Sequence, residues 1–172
     1  MTETLDWIEK TTDIPEGGLS ATRDATADEL KRVATALNIL AVASLTSRYR
    51  IVAISGGAYR LTGSISAKVE QACVVSLEPV SGKVEASFEV EFWPVLKSEE
   101  SEDESSVLSG SDVEQLEHGL IPVGRITFET LSASLDPYPR KEGAEFTWQD
   151  PKSEASDGTN PFAALSKLKD KS

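Results

Sequence analysis

Two long segments with a strict alternation of apolar and polar residues constrain the fold more than any other feature. Residues 59–69, YRLTGSISAKV, place two cations and three hydroxyl residues between apolar or small residues. Residues 84–92, VEASFEVEF, place three glutamates and one serine between apolar residues. A period of two is typical of a strand with one buried and one solvated face. Because turn residues fill the EPVSGK stretch between them, the two segments predict a long antiparallel hairpin.

Flanking segments complete the prediction of an α+β fold. RYRIVAIS, residues 48–55, predicts a third strand that joins the hairpin through Gly56 and Gly57. TADE, residues 26–29, is a capping box that predicts a helix over 27–40. Pro122 suits a first helical position, and a second helix must end before Pro137. We therefore expect an antiparallel sheet, made of the long hairpin plus flanking strands, packed with two main helices.

The length and the distribution of charge predict how the chain divides. A chain of 172 residues favours one domain with tails, which we place at 13–148 after a flexible N-terminus over 1–12. Within it, residues 97–119 carry eight acids and one lysine, which predicts a mobile acidic loop. A polar linker over 149–159 and a short helical C-terminal motif over 160–172 complete the prediction.

Composition limits the classes of partner and compartment. A net charge of −12 disfavours non-specific binding to phosphate backbones. Yet residues 44–62 hold three arginines, two tyrosines and no acid. This composition fits either an ordinary edge or surface strand or a binding surface. No run of 18 apolar residues and no signal-peptide pattern is present, and a single cysteine suits a reducing compartment. We expect a cytoplasmic protein without a membrane span.

The sequence offers no constellation for catalysis or metal binding. Cys73 is the only cysteine and His118 the only histidine, and nothing in their spacing suggests a nucleophile with its base. Zinc requires about four nitrogen or sulfur ligands, and no phosphate-binding glycine loop or calcium-loop spacing is present. We therefore expect no catalytic residue, no metal and no cofactor, and we interpret the chain as a binding or scaffold protein.

The candidate binding residues lie in three places. DPYPRKEG, residues 136–143, is a stiff extended segment that presents an aromatic residue and two cations. The C-terminal NPFAALSKLK predicts a short cationic helix that either docks on the domain or folds on a partner. With the arginines of the third strand and hairpin, the candidate residues are Arg48, Arg50, Arg60, Tyr138, Arg140, Lys141, Asn160, Pro161, Phe162, Leu165, Lys167, Leu168 and Lys169.

Three segments in this order resemble one family. They are VEQACVVSLEPV at 69–80, ETLSASLDPYPRKEGAEF at 129–146 and NPFAALSKLK at 160–169. Together they resemble the large ribosomal RNA subunit accumulation protein (YceD) family, in its alphaproteobacterial branch, and residues 13–37 look like the family's opening strand and helix. The resemblance implies a bacterial, non-enzymatic ribosome biogenesis factor. The implied partner is the precursor of the large-subunit ribosomal RNA, a large-subunit ribosomal protein, or both.

Two departures from the family pattern and two hypotheses follow. Many members carry a Cys-x-x-Cys pair where this chain reads CVVS at 73–76, so no metal site of that kind is expected here. The second helix begins with PVGR at 122–125 instead of an Asp-Leu-Gly pattern. One hypothesis is a monomer in which Tyr138, Arg140 and Lys141, with the peptide over 160–169, contact immature ribosomal RNA or a ribosomal protein. The other is an acidic chaperone that escorts a basic ribosomal protein, which the charge of −12 suits.

Overall fold

The computed structural model describes residues 4–94 and 112–145. A five-stranded sheet has the order β2-β3-β4-β5-β6, and β1 pairs with β7 in a separate two-stranded sheet. The strands are β1 (Glu9–Lys10), β2 (Leu19–Asp24), β3 (Ala41–Ala53), β4 (Tyr59–Ala72), β5 (Pro79–Trp93), β6 (Asp112–Gln115) and β7 (Leu120–Ile121), and the helices are α1 (Ala27–Leu37) and α2 (Val123–Ser134). The predicted α+β fold with two main helices is confirmed.

The hairpin of β4 and β5 is the centre of the sheet. The two strands pair without interruption from Tyr59 opposite Phe92 to Ala72 opposite Pro79. The turn between them occupies residues 73–78, so it begins and ends earlier than the predicted EPVSGK turn. β3 joins β4 through Gly56 and Gly57, both at positive φ, as the third-strand prediction required. Because β2 pairs along the other edge of β3, the arginine-rich stretch lies inside the sheet and not at its edge.

The alternation places the core on one face of the sheet. Side chains of β3, β4 and β5 that point inward join those of both helices in one apolar cluster. The opposite face, called here the outer face, carries the polar positions of the alternation, including Arg48, Arg50 and Arg60. Burial of the inward set fixes the register, because a shift by one residue would expose every core side chain.

Helix α1 forms as its capping box predicts and ends early. The Thr26 hydroxyl accepts from the Glu29 N–H, and the Glu29 carboxylate accepts from the Thr26 N–H. Asn38 adopts the left-handed conformation at φ 53° and its N–H donates to carbonyl oxygens of the last turn. This cap stops the helix at Leu37, three residues before the predicted end, because an asparagine tolerates the left-handed region.

The N-terminal segment is part of the core, which corrects the prediction of a flexible N-terminus for residues 4–12. Leu5 and Trp7 are buried, and the Trp7 Nε1–H donates to a Glu29 oxygen at 2.9 Å. The Gly124 N–H donates to the Trp7 carbonyl oxygen at 2.8 Å. A Cβ atom at Gly124 would lie 2.3 Å from the Leu5 carbonyl oxygen. The glycine in PVGR therefore allows the N-terminal segment to lie against the start of α2.

Part of the predicted acidic loop is also ordered. Residues 112–115 form β6, which runs parallel to β5, and the Leu116 N–H donates to the Trp93 carbonyl oxygen at 2.7 Å. Arg125 pairs with Glu114, which neutralises one of the acids that suggested a loop. The mobile-loop prediction is therefore wrong for 112–119. Residues 97–111, the 149–159 linker and the 160–172 motif lie outside the described residues.

Candidate functional site

The three candidate arginines share the outer face but differ in their partners. Arg60 donates to Glu91 Oε1 from Nε and from its terminal nitrogen at 3.0 and 2.7 Å, and these bonds raise the pKa of Arg60. Arg50 donates to the Gly17 carbonyl oxygen at 2.9 Å. Both side chains are thus held by neighbours within the sheet. A binding role for either would require these hydrogen bonds to be exchanged.

Arg48 is the exception among the three. Among the described residues it has no hydrogen bond or ion pair, and its side chain is exposed. It lines an open depression of about 620 Å³ on the outer face together with small polar side chains: Thr46, Ser64, Ser66 and Ser87, with Ile65, Glu85 and Ala86. This depression presents one guanidinium among hydroxyl groups beside the Glu85 carboxylate, an arrangement that can hydrogen-bond a polar group but offers no nucleophile with a base.

A second cluster joins the β4–β5 turn to the segment that follows α2. We call it the clasp, and it comprises residues 71–78 and 136–141. The Val74 N–H donates to the Pro139 carbonyl oxygen at 2.9 Å, and Gln71 Nε2 donates to the Asp136 carbonyl oxygen at 2.9 Å. Lys141 Nζ lies 3.0 Å from Glu78 Oε2, and this contact lowers the pKa of Glu78. The clasp thus fixes an irregular segment against the end of the hairpin.

Cys73 is the buried centre of the clasp. Its Sγ accepts backbone N–H groups from Val75 and Ser76 at 3.4 Å each and from Lys141 at 3.3 Å. These hydrogen bonds, led by the one from Lys141, lower the pKa of the Cys73 thiol to about 6. The sequence alone indicated no role for this cysteine. Its position at the end of an alternating strand was the only sequence signal that it is buried. The N–H groups that surround its sulfur come from a turn and from a distant segment, so the sequence pattern does not reveal them.

The clasp presents an exposed aromatic and apolar surface. The side chains of Tyr138 and Leu77 are 73% and 76% exposed, and Val74 is 47% exposed. Leu77 has a φ of 60°, which is uncommon for a leucine and is held by its N–H bond to the Cys73 carbonyl oxygen. Asp136 Oδ1 accepts from the Tyr138 N–H at 2.9 Å, and prolines flank the tyrosine on both sides. Tyr138 is therefore exposed on a backbone with little freedom to move.

The two cations of the segment 136–141 differ in their partners, as the arginines of the sheet do. Arg140 is exposed beside Tyr138, whereas Lys141 is engaged in the clasp through both its N–H and its ammonium group. The structure therefore leaves Tyr138 and Arg140 both accessible, two residues apart in the chain, and gives Lys141 a positioning role. The remaining candidates lie outside the described residues: Asn160, Pro161, Phe162, Leu165, Lys167, Leu168 and Lys169.

Neither a metal centre nor a membrane span is found in the described parts of the chain. Within 4–94 and 112–145, no group of three or more His, Cys, Asp or Glu side chains is arranged to hold a metal ion. Over the same ranges, no helix combines the length and the apolar composition that crossing a membrane requires.

Comparison with known proteins assigns the chain to a family. Neither the search of curated proteins nor the search of solved structures gave a match. The family model described as large ribosomal RNA subunit accumulation protein YceD matches residues 61–169. The matched range contains the hairpin from Leu61 onward, α2 and the whole clasp, and the family's description indicates a role in accumulation of the large-subunit ribosomal RNA. Since the match covers more than half of its length, this chain belongs to the large ribosomal RNA subunit accumulation protein (YceD) family.

Proposed function

We propose that this protein is a monomeric, non-enzymatic assembly factor of the bacterial cytoplasm that binds the precursor of the large-subunit ribosomal RNA through the clasp. The observation that carries the proposal is the exposed pair of Tyr138 and Arg140 on a segment fixed by Cys73, Val74 and Lys141. The family's role in ribosomal RNA accumulation supports an RNA partner. The proposal assigns RNA contact to the clasp surface and no chemical step to any residue.

The chemistry of the pair suits unpaired RNA. A tyrosine ring can stack on a base, which is worth about 1–3 kcal/mol per base, and an arginine can stack or fork onto phosphate. Pre-ordering lowers the entropy lost on binding, since Pro137 and Pro139 restrict the backbone before any contact forms. The net charge of −12 opposes general attraction to RNA, so local contacts must supply the affinity. This combination favours splayed-out bases in immature RNA over a continuous duplex.

Co-sedimentation tests the proposal directly. Tagged full-length protein is expected to migrate with pre-large-subunit particles in a sucrose gradient and to leave them after RNase treatment. Tyr138→Ala with Arg140→Glu should reduce the fraction of protein bound to these particles about tenfold or more, because one base stack is lost and one charge is reversed. Lys31→Glu is the matched control, because Lys31 is an exposed cation on α1 that is not part of the clasp. Equal association of the wild type and the clasp variant would contradict the site assignment.

The acidic escort is the competing function, and the net charge of −12 is the observation in its favour. It requires salt-dependent binding to a purified basic large-subunit ribosomal protein in the absence of RNA. A deletion restricted to 98–110 tests the acidic segment without removing β6, which begins at Asp112. Binding that survives RNase and is lost with this deletion would replace RNA by a basic protein as the direct partner.

A further inference from the structure

One edge of β5 is paired over only a small part of its length. β4 pairs with all of β5, but on the opposite edge β6 pairs only with residues 90–93. Directly beyond the paired ends of the hairpin, the Glu78 carbonyl oxygen accepts from the Cys73 N–H on the β4 side, and the Trp93 carbonyl oxygen accepts from the Leu116 N–H on the β6 side. Since backbone groups alternate between the two edges of a strand and the register has no break, odd-numbered residues face away from β4. Lys83, Glu85 and Ser87 therefore direct backbone N–H and C=O groups to an edge with no strand partner among the described residues.

A groove lies beside this edge, between β5 and α2. Its volume is about 440 Å³, and Phe88 and Val90 of β5 face Ile126 and Ala133 of α2 across it. These apolar side chains could receive alternate side chains of a strand added to β5, because the side chains of a strand alternate between its two faces. The unpaired backbone groups and the apolar groove are thus adjacent parts of one surface.

The border of the groove is acidic. Four carboxylates line it, from Glu89, Asp112, Glu114 and Glu129; two neighbouring cations offset part of this charge, because Arg125 pairs with the last two and Arg60 lies 3.6 Å from Glu89. Asp112 has no ion pair among the described residues. The resulting local charge is negative, which repels phosphate groups and attracts lysine and arginine side chains. The clasp, by contrast, exposes an aromatic residue beside a cation.

We propose that the open edge of β5 binds a lysine- or arginine-rich extended segment of a partner protein by strand addition. Backbone hydrogen bonds to Ser87 and its odd-numbered neighbours would supply affinity, and apolar residues of the segment would enter the groove. Cations of the same segment would pair with Asp112 and Glu129 at the border. This surface is separate from the clasp, so the inference goes beyond RNA binding and stands independently of it.

The probe is a fluorescein-labelled twelve-residue peptide of alternating lysine and valine, added to the full-length protein and followed by fluorescence anisotropy. We expect saturable binding that weakens as salt increases. Ser87→Pro should weaken it about five- to tenfold, because proline removes one edge N–H and its ring obstructs the edge. The β4 ladder does not use that N–H, so thermal unfolding should show a folded protein. A folded Ser87→Pro variant with unchanged affinity would overturn the proposal.

Charge variants test the border separately. Asp112→Asn with Glu129→Gln should weaken peptide binding several-fold at low salt and reduce its salt dependence. Glu142→Gln with Glu145→Gln is the matched control, since these carboxylates are outside the groove, and it should bind as the wild type does. An equal loss in the control pair would reduce the effect to net charge alone and overturn the border assignment. A peptide with glutamate in place of lysine should not bind, and equally tight binding of it would have the same consequence.

Other occupants of the edge give distinct results. If Ser87→Pro abolishes self-association in sedimentation velocity, a second copy of the chain is the occupant. If Val107→Asp with Leu108→Asp, or Lys167→Gln with Lys169→Gln, tightens peptide binding at least tenfold, a segment of the chain itself occupies the edge. Either result would overturn the proposal that the edge receives a separate cationic segment.

Discussion

Replacement of Gly124 by alanine tests the docking of the N-terminal segment. A Cβ atom at this position would lie 2.3 Å from the Leu5 carbonyl oxygen and 2.9 Å from the Leu5 Cβ. The first contact is with backbone, so it cannot be relieved by a side-chain rotation. The segment must move away from α2, and the hydrogen bond from the Gly124 N–H to the Trp7 carbonyl oxygen lengthens or breaks.

The magnitude follows from three opposing contributions. Overpacking of this kind costs about 1–3 kcal/mol, and a lost backbone hydrogen bond costs about 0.5–1.5 kcal/mol. The better helix propensity of alanine returns at most about 1 kcal/mol. We therefore expect Gly124→Ala to lower the free energy of unfolding by about 2 kcal/mol, which in a chain of this size lowers the melting temperature by about 4–8 °C.

Urea unfolding followed by far-ultraviolet circular dichroism measures the change, and tryptophan fluorescence reports the environment of Trp7. Gly17→Ala is the matched control, because an added Cβ there meets nothing within 4 Å and the residue is not at positive φ. It should be neutral or slightly stabilising. If Gly124→Ala is as stable as Gly17→Ala, the close approach of Leu5 to α2 is not a constraint on the fold and the reasoning is refuted.

Three further predictions concern the clasp and α1. Because the pKa of Cys73 is lowered from 9.0 to about 6 in the folded chain, the thiolate stabilises the fold fully above pH 9, and this contribution is lost as the pH falls through about 6. Cys73→Ser should therefore flatten the pH dependence of the free energy of unfolding between those values. Leu77→Gly should raise the free energy of unfolding by about 0.5–1 kcal/mol, since glycine adopts positive φ without strain and little buried surface is lost. Thr26→Ala should lower it by about 1 kcal/mol through loss of the capping box.

Each of these three predictions can be contradicted by the same unfolding measurements. Identical pH profiles for wild type and Cys73→Ser between pH 6 and 9 would show that the buried thiol does not titrate with folding. A less stable Leu77→Gly would mean that the exposed leucine makes a contact that outweighs its backbone strain. Val52→Ala, a change on the outer face away from α1, is the control for Thr26→Ala. Only Thr26→Ala should lower the helix content, and an equal loss in both variants would contradict the role of the capping box.

The elements that the sequence predicted are those encoded by neighbouring residues. The alternation in β4 and β5 and the capping box at Thr26 each depend on residues within a few positions, so their patterns are visible without the fold. The N-terminal segment and β6 were missed because their partners are distant: Trp7 meets Glu29 and Gly124, and β6 pairs across an intervening segment. Short segments of that kind carry no periodic signal of their own.

The same distinction between local and distant contacts applies to the candidate site. Alternation alone places Arg48 and Arg60 on one face of the sheet, but only the pairing of β4 with β5 brings Glu91 next to Arg60. The stiffness of the segment around Tyr138 follows from its prolines, whereas the position of Lys141 depends on Cys73 and Glu78, which are distant in sequence. Sequence therefore placed candidate side chains on shared surfaces, and the fold shows which of the described ones are engaged by neighbours.

The pairing of Glu9 with Ile121 sets the order in which this chain can fold during its own synthesis. Residues 4–10 leave the exit tunnel before residues 120–134, which form β7 and α2 and supply their binding surface. Leu5 and Trp7 must remain in water until residues of α2 have emerged, while the hairpin of β4 and β5 can already form. Closure of residues 5–10 on β7 and α2 consequently follows formation of the hairpin, and burial of the Trp7 indole is its optical signal.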